Sequence, residues 1–195
     1  MRKVTGSLLA AVALVALPHM AVAQRRASAG GGGVAKNEIG VDLGAAYSHY
    51  GSGCVTSCGS FEAGTPVDIR WGFMASGPLS FEPRFTLSYF TGLGGHNLSF
   101  TPDVNVLYRL GTASARRGAY LTGGLGLDWT NVGTSGTPST SATQLSLNAG
   151  IGKRIPMESN AWRLEGFFKY NFANTSKGVP SHFDIGARVG MSFWR

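Results

Sequence analysis

An all-β chain, closed as an eight-stranded antiparallel up-and-down transmembrane β-barrel with short periplasmic turns, is the fold class this 195-residue sequence predicts. Three observations carry that prediction. Apolar residues recur at every second position through eight segments, the period of a two-faced strand. Acids and arginines gather on the opposite positions of the same segments. An N-terminal segment of the export-signal type precedes them all.

That first segment is MRKVTGSLLAAVALVALPHMAVA, residues 1–23. Arg2 and Lys3 open it, Leu8 to Leu17 is uninterruptedly apolar, Pro18 breaks the run, and Ala21-Val22-Ala23 has the small-x-small cleavage pattern. A membrane-spanning helix needs about 20 apolar residues, so this segment reads as a cleaved signal peptide and not an anchor. Gln24 follows the expected cut, which does not indicate lipoprotein processing. Residues 24–37 are Gly/Ala-rich and are expected to form a flexible leader, with the barrel over 38–195.

Composition narrows the alternatives. Charged residues are 14% of the chain, below the roughly 25% of an ordinary soluble domain. Hydrophobic residues reach 43%, which excludes intrinsic disorder. The 29 glycines follow no Gly-x-y period, so collagen is excluded, and two cysteines cannot staple a disulfide scaffold. The length suits one domain.

The strands follow in order. The first sets Ile39, Val41, Leu43, Ala45 and Tyr47 against Glu38, Asp42 and Ser48. The second sets Val67, Ile69, Trp71 and Phe73 against Asp68 and Arg70. In the third, Leu79, Phe81, Phe85, Leu87 and Tyr89 oppose Glu82, Arg84 and Thr86. In the fourth, Val104, Val106, Tyr108 and Leu110 oppose Asp103, Asn105 and Arg109. Leu121, Leu125, Leu127 and Trp129 oppose Thr122 and Asp128 in the fifth; Leu145, Leu147, Ala149 and Ile151 oppose Gln144, Ser146 and Asn148 in the sixth. The seventh has Trp162, Leu164, Phe168, Tyr170 and Phe172 against Arg163, Glu165, Lys169 and Asn171. The eighth has Phe183, Ile185, Ala187, Val189, Met191 and Phe193 against Asp184, Arg188 and Ser192. Strands of about ten residues are what a tilted crossing of a bilayer requires.

Compact links follow the second, fourth and sixth strands: 75–78, 111–118 and 156–160. Links after the first, third, fifth and seventh read as longer and rich in Gly, Ser, Thr and Asn, such as 131–141. Short turns on one side and longer loops on the other place both ends of the barrel in the periplasm. Pro66, Pro83 and Pro102 lie within the apolar runs. Because proline cannot donate to a ladder, the paired segments are expected to begin after them.

Charge placement separates a membrane barrel from a soluble one. Asp42, Asp68, Arg70, Glu82, Arg84, Asp103, Arg109, Asp128, Arg163, Glu165, Lys169, Asp184 and Arg188 all take polar positions of strands, as do Glu38 and Arg154. The loops expected at the outer face carry only Lys177 and, at a strand edge, Glu62. Eight strands leave an interior just wide enough for side chains to fill. Charges buried there must pair, so an internal ion-pair and hydrogen-bond network is expected, with Leu, Phe, Trp and Tyr toward lipid. Tyr47, Trp71, Phe73, Tyr89, Tyr108, Trp129, Trp162, Phe172 and Phe193 sit near strand ends, as interface girdles would.

With this pattern the chain resembles the small outer-membrane β-barrel families of OmpA/OmpX type. The resemblance covers 38–195 and implies outer-membrane localisation, contacts with outer-membrane lipids and lipopolysaccharide, and a monomer. In those families a near-terminal aromatic strand is the recognition signal for the barrel-assembly machinery, which the resemblance assigns to Phe193 and Trp194. The usual final residue is Phe, whereas here Trp194 and Arg195 follow Phe193.

Chemistry is sparse. Cys54 and Cys58 lie in the first outer loop, and passage through an oxidising compartment favours a disulfide there over free thiols or a two-thiol metal site. No metal, cofactor or catalytic site is expected. His49, His96 and His182 fall at loop-proximal strand ends and are expected on the outer rim. Lipid A deacylases are also eight-stranded barrels, with a His/Ser/Glu triad, but no segment here matches their motif; Ser181, His182 and Asp184 come nearest. Arginines spread across strand faces and matched by acids exclude a nucleic-acid surface. The expected role is structural, membrane-integrity or adhesive. A narrow channel or hydrophobic-solute transporter, a lipid A-modifying enzyme, and a soluble periplasmic barrel binding an apolar ligand are the alternatives.

Overall fold

The computed structural model describes residues 37–51, 58–74, 78–92, 95–111, 117–134, 136 and 138–194. The expected signal peptide, almost all of the leader, and Cys54 lie outside the described residues.

Eight antiparallel strands close into a barrel in simple sequential order. They are β1 (Asn37–Tyr50), β2 (Gly59–Met74), β3 (Leu79–Gly92), β4 (Gly95–Arg109), β5 (Gly118–Thr134), β6 (Thr140–Pro156), β7 (Asn160–Asn171) and β8 (His182–Trp194). The barrel closes where β8 returns to β1, from Glu38 opposite Trp194 through Tyr50 opposite His182. Closure leaves no free sheet edge, which is the only way a sheet satisfies its backbone in hydrocarbon. One short 3-10 helix, Thr175–Lys177, lies between β7 and β8, capped by the Asn174 side chain.

Strand lengths run from 12 to 17 residues, so all eight exceed the expected ten. The supposed loop 131–141 is largely ladder: Asn131 pairs with Ser141 and Val132 with Thr140. Likewise Gly92 pairs with Gly95, leaving only 93–94 between β3 and β4. The Ser, Thr and Asn that suggested loops are strand residues beyond the apolar band. A neighbouring strand supplies their ladder, and β-branched Thr and Val favour the extended chain. The contrast between short and long links is correspondingly smaller than expected.

The prolines also differ from expectation, because each lies inside a strand at a break in one ladder. Leu43 pairs with Val67 but Ala45 with Ala63, so β2 bulges around Pro66. The β2–β3 ladder skips from Arg70–Arg84 to Phe73–Phe81, passing over Pro83, while Pro83 still pairs with Val104. The β4–β5 ladder skips from Phe100–Trp129 to Asp103–Gly126, passing over Pro102. A proline that lacks an N–H on one side needs only one ladder to yield, so the strand need not begin after it.

The faces are inside-out relative to a soluble protein. Ile69 is 56% exposed, Phe81 51%, Val104 59% and Ile151 59%, whereas Arg70 and Glu38 are 0% exposed. Leu107, Tyr120 and Phe167 are among the large apolar or aromatic side chains that do turn inward. Aromatic side chains collect toward both rims. Trp71 and Phe73 stack at 5.5 Å near the rim that carries residues 37 and 194, and Tyr170 meets Phe172 edge-on at 5.1 Å near the opposite one. Phe193 and Trp194 depart from this belt, being only 4% and 5% exposed.

Candidate functional site: the barrel interior

Alternation along eight strands aims every second side chain at one narrow axis, and the polar positions converge there. Near the terminal rim they form a plug. Arg70 is the hub of its lower part. Its Nε donates to Asp42 Oδ2 at 2.7 Å, its Nη1 to Glu38 Oε1 at 2.6 Å, and its Nη2 to Ser192 Oγ at 2.9 Å. Arg154 Nη2 completes Glu38 by donating to Oε2 at 2.7 Å.

One layer further in, Arg163 donates to Glu82, Glu165 and the Tyr120 hydroxyl, while Tyr120 Oη donates to Glu165 Oε2 at 2.8 Å. Arg84 spans Glu82 and Glu165, both at 2.9 Å. Arg188 closes the layer against Asp68 at 2.7 Å and Glu165 at 3.0 Å, with its guanidinium 3.8 Å from the Phe167 ring centroid. The Tyr120 ring lies between Arg154 and Arg163, at 4.8 and 4.7 Å. Five carboxylates therefore face five guanidinium groups, so the plug is neutral in count. Forked guanidiniums suit such a lattice: Arg70, Arg84, Arg163 and Arg188 each bridge two acids in fixed geometry, and Arg154 holds Glu38 alone.

Room for the plug comes from glycine. At Gly152 an added Cβ would fall on the Tyr120 hydroxyl. At Gly190 it would overlap the Asp42 carboxylate and the Val41 carbonyl across the β1–β8 seam.

Toward the opposite rim the interior opens into a polar vestibule of about 260 Å³. Asp128 accepts from Thr101 at 2.7 Å and Ser99 at 3.0 Å, with Lys169 Nζ 3.6 Å away. Asn171 Nδ2 donates to Asp184 Oδ2 at 3.0 Å and lies 2.9 Å from His182 Nε2. Gln144 Nε2 ties down the β7–β8 link through the carbonyls of Phe172 at 2.8 Å and Pro180 at 3.1 Å.

Of the residues that sequence singled out, Asp42, Asp68, Arg70, Glu82, Arg84, Arg163, Glu165 and Arg188 meet in the plug. Asp128, Lys169 and Asp184 line the vestibule, and Asp103 is buried beside Gly126. Arg109 is the exception. It ends β4 half-exposed, with Nε directed at the Pro78 carbonyl at 3.5 Å, because it lies past the plug at the rim. Tyr120 and Ser192 are plug members that the expected network omitted. Tyr120 shares the inward parity of Thr122 and was legible by extending the fifth strand one residue back.

The histidines separate. His96 is exposed, His49 packs 5.2 Å from Phe183, and His182 turns inward, buried and stacked on Tyr50 at 4.9 Å. His182 is therefore at the outer-rim end of β8 but faces inward, and its imidazole meets an amide and a phenol ring. Cys58 stands at the foot of β2, where its carbonyl accepts from Tyr50 N–H at 2.8 Å.

No protein-family model matches the chain, and no curated protein matches it in sequence. Solved structures do share its fold. Neisserial surface protein A superposes with a TM-score of 0.61 at 17% identity, covering 80% of this chain and 96% of that one. Ail, the attachment invasion locus protein of Yersinia pestis, gives 0.52 at 13% identity, covering 82% and 99%. The chain thus has the fold of the small eight-stranded outer-membrane barrels.

Proposed function

We propose that this chain is a small integral outer-membrane barrel whose work is structural or adhesive: supporting membrane integrity, or presenting its outer rim to surface partners. The carrying observation is the inverted wall, with Leu, Phe and Ile outward and a charge-paired plug inward. In water each outward Leu or Phe would forgo about 1.5–3 kcal/mol of burial, whereas in hydrocarbon that loss vanishes. The rim carrying residues 37 and 194 faces the periplasm in this reading, and the vestibule faces outward. A contact role draws on the likeness to Ail, whose name refers to attachment, and on nothing finer.

The plug argues against a conducting pore, and the inward turn of His182 against a rim-exposed hydrolytic triad. The reading includes export by cleavage after Ala23, insertion by the assembly machinery through the Phe193–Trp194 strand, and a Cys54–Cys58 disulfide. Maleimide labelling tests the last: neither thiol should react until the chain is reduced.

Membrane fractionation with electrophoresis of boiled and unboiled samples tests the whole. An outer-membrane fraction with a heat-dependent mobility shift is expected, because all backbone bonds are internal and resist SDS until heated. A soluble periplasmic fraction without a shift would end the reading.

A further inference from the structure

Lys153 is the one charged side chain on an outward-facing strand position among the described residues. It lies on β6 three positions before Pro156, slightly deeper than the level where Ile155 pairs with Trp162. A cation on the lipid face of a barrel is costly at the bilayer midplane and nearly free at the interface. A lysine just inside an aromatic girdle can extend its ammonium back to headgroup depth.

Lys153 also stands at one end of a groove of about 750 Å³ on the lipid-facing wall. One side of the groove follows the paired row Lys153, Leu164, Val189 and Leu43. The adjacent row, Ile151, Gly166, Ala187 and Ala45, drops to small residues at its centre and makes the floor. Counted from the terminal rim, the row moves deeper from strand to strand: three residues from the end of β6 at Lys153, six from the start of β1 at Leu43. The groove therefore runs obliquely from headgroup level toward the bilayer centre, with its cation at the shallow end.

We propose that this groove is a binding site for one anionic phospholipid of the periplasmic leaflet. Its phosphate pairs with the Lys153 ammonium, and an acyl chain lies over Gly166, Ala187 and Ala45. The assignment of leaflet rests on the outer-membrane reading and its orientation. Charge complementarity selects the headgroup, since no acid shares the outward strand positions of the described residues.

Native mass spectrometry of the purified chain in neutral detergent tests this, with phosphatidylglycerol and phosphatidylethanolamine supplied together and lipid A in a separate arm. Wild type should retain phosphatidylglycerol over phosphatidylethanolamine by roughly fivefold, the preference one cation confers near an anionic surface. Lys153→Gln should bring the two to parity, Lys153→Arg should keep the preference, and Ala187→Trp should reduce retention of both. Equal retention by wild type, an unchanged preference in Lys153→Gln, or stronger binding of lipid A than of phosphatidylglycerol overturns the site. Each sample is first checked for the heat-dependent shift, so failure of the barrel reading is seen separately.

Discussion

Arg163 is fixed by two carboxylates and a phenol in a space closed to water. Replacing it with Met would leave Glu82 and Glu165 buried with too few cations. Breaking a buried pair from one side costs about 3–5 kcal/mol, more than pairing itself contributes net. Arg163→Met should lower the unfolding free energy of the barrel, measured by urea titration in phosphatidylcholine vesicles, by that amount. Arg163→Lys should fall between, because an ammonium keeps the charge but cannot fork. Equal midpoints for wild type and Arg163→Met would mean water already solvates the plug. Tyr120 is a smaller member of the same lattice: Tyr120→Phe removes the donor to Glu165, an expected loss of about 1–3 kcal/mol in the same titration.

Between strands, close approach decides what a position tolerates. A Cβ on Gly190 would strike the Asp42 carboxylate and a backbone carbonyl of β1, so Gly190→Val should block the seam and abolish the heat-modifiable band. On Gly123 the nearest atom would be the Asn148 carbonyl at 3.7 Å, an ordinary contact, so Gly123→Ala should leave the band intact. Strand parity made the existence and facing of all eight strands legible in the sequence, since each alternating segment falls on the strand of the same rank, with only Leu110 and Phe172 one residue past the ends of β4 and β7. What escaped it were the outer ends. Asn131 to Thr134 and Thr140 to Ser141 look like loop by composition, yet they are strand because a partner strand is present, which is non-local information. The prolines misled for the same reason, since a ladder break on one side is invisible until the neighbours are known. Within the plug, parity named most members but could not say that Arg109 lies past its edge.

Taken whole, the molecule is a tube sealed near one end and hollow near the other. The neutral plug of arginines and acids spans the interior on the terminal side, while the vestibule reaches the opposite rim. In planar bilayers the purified chain should insert without stepwise ion conductance at neutral pH. Discrete channel openings from a sample showing the full heat-dependent shift would move transport ahead of a structural role.

The seam has a further consequence for connectivity. Residues 38 and 194 are ladder partners on neighbouring strands, so the two described ends of the barrel meet at one rim. The link between β6 and β7, residues 157–159, is at the same rim and exposed. A circular permutant that joins the old ends by a short linker and opens at Glu158 would trace an identical wall with the same plug. Its last strand would then be β6, ending in Lys153-Arg154-Ile155-Pro156 instead of Met191-Ser192-Phe193-Trp194. Such a chain separates two demands that the natural order merges in β8: closing the cylinder, and carrying the aromatic ending proposed above as the insertion signal.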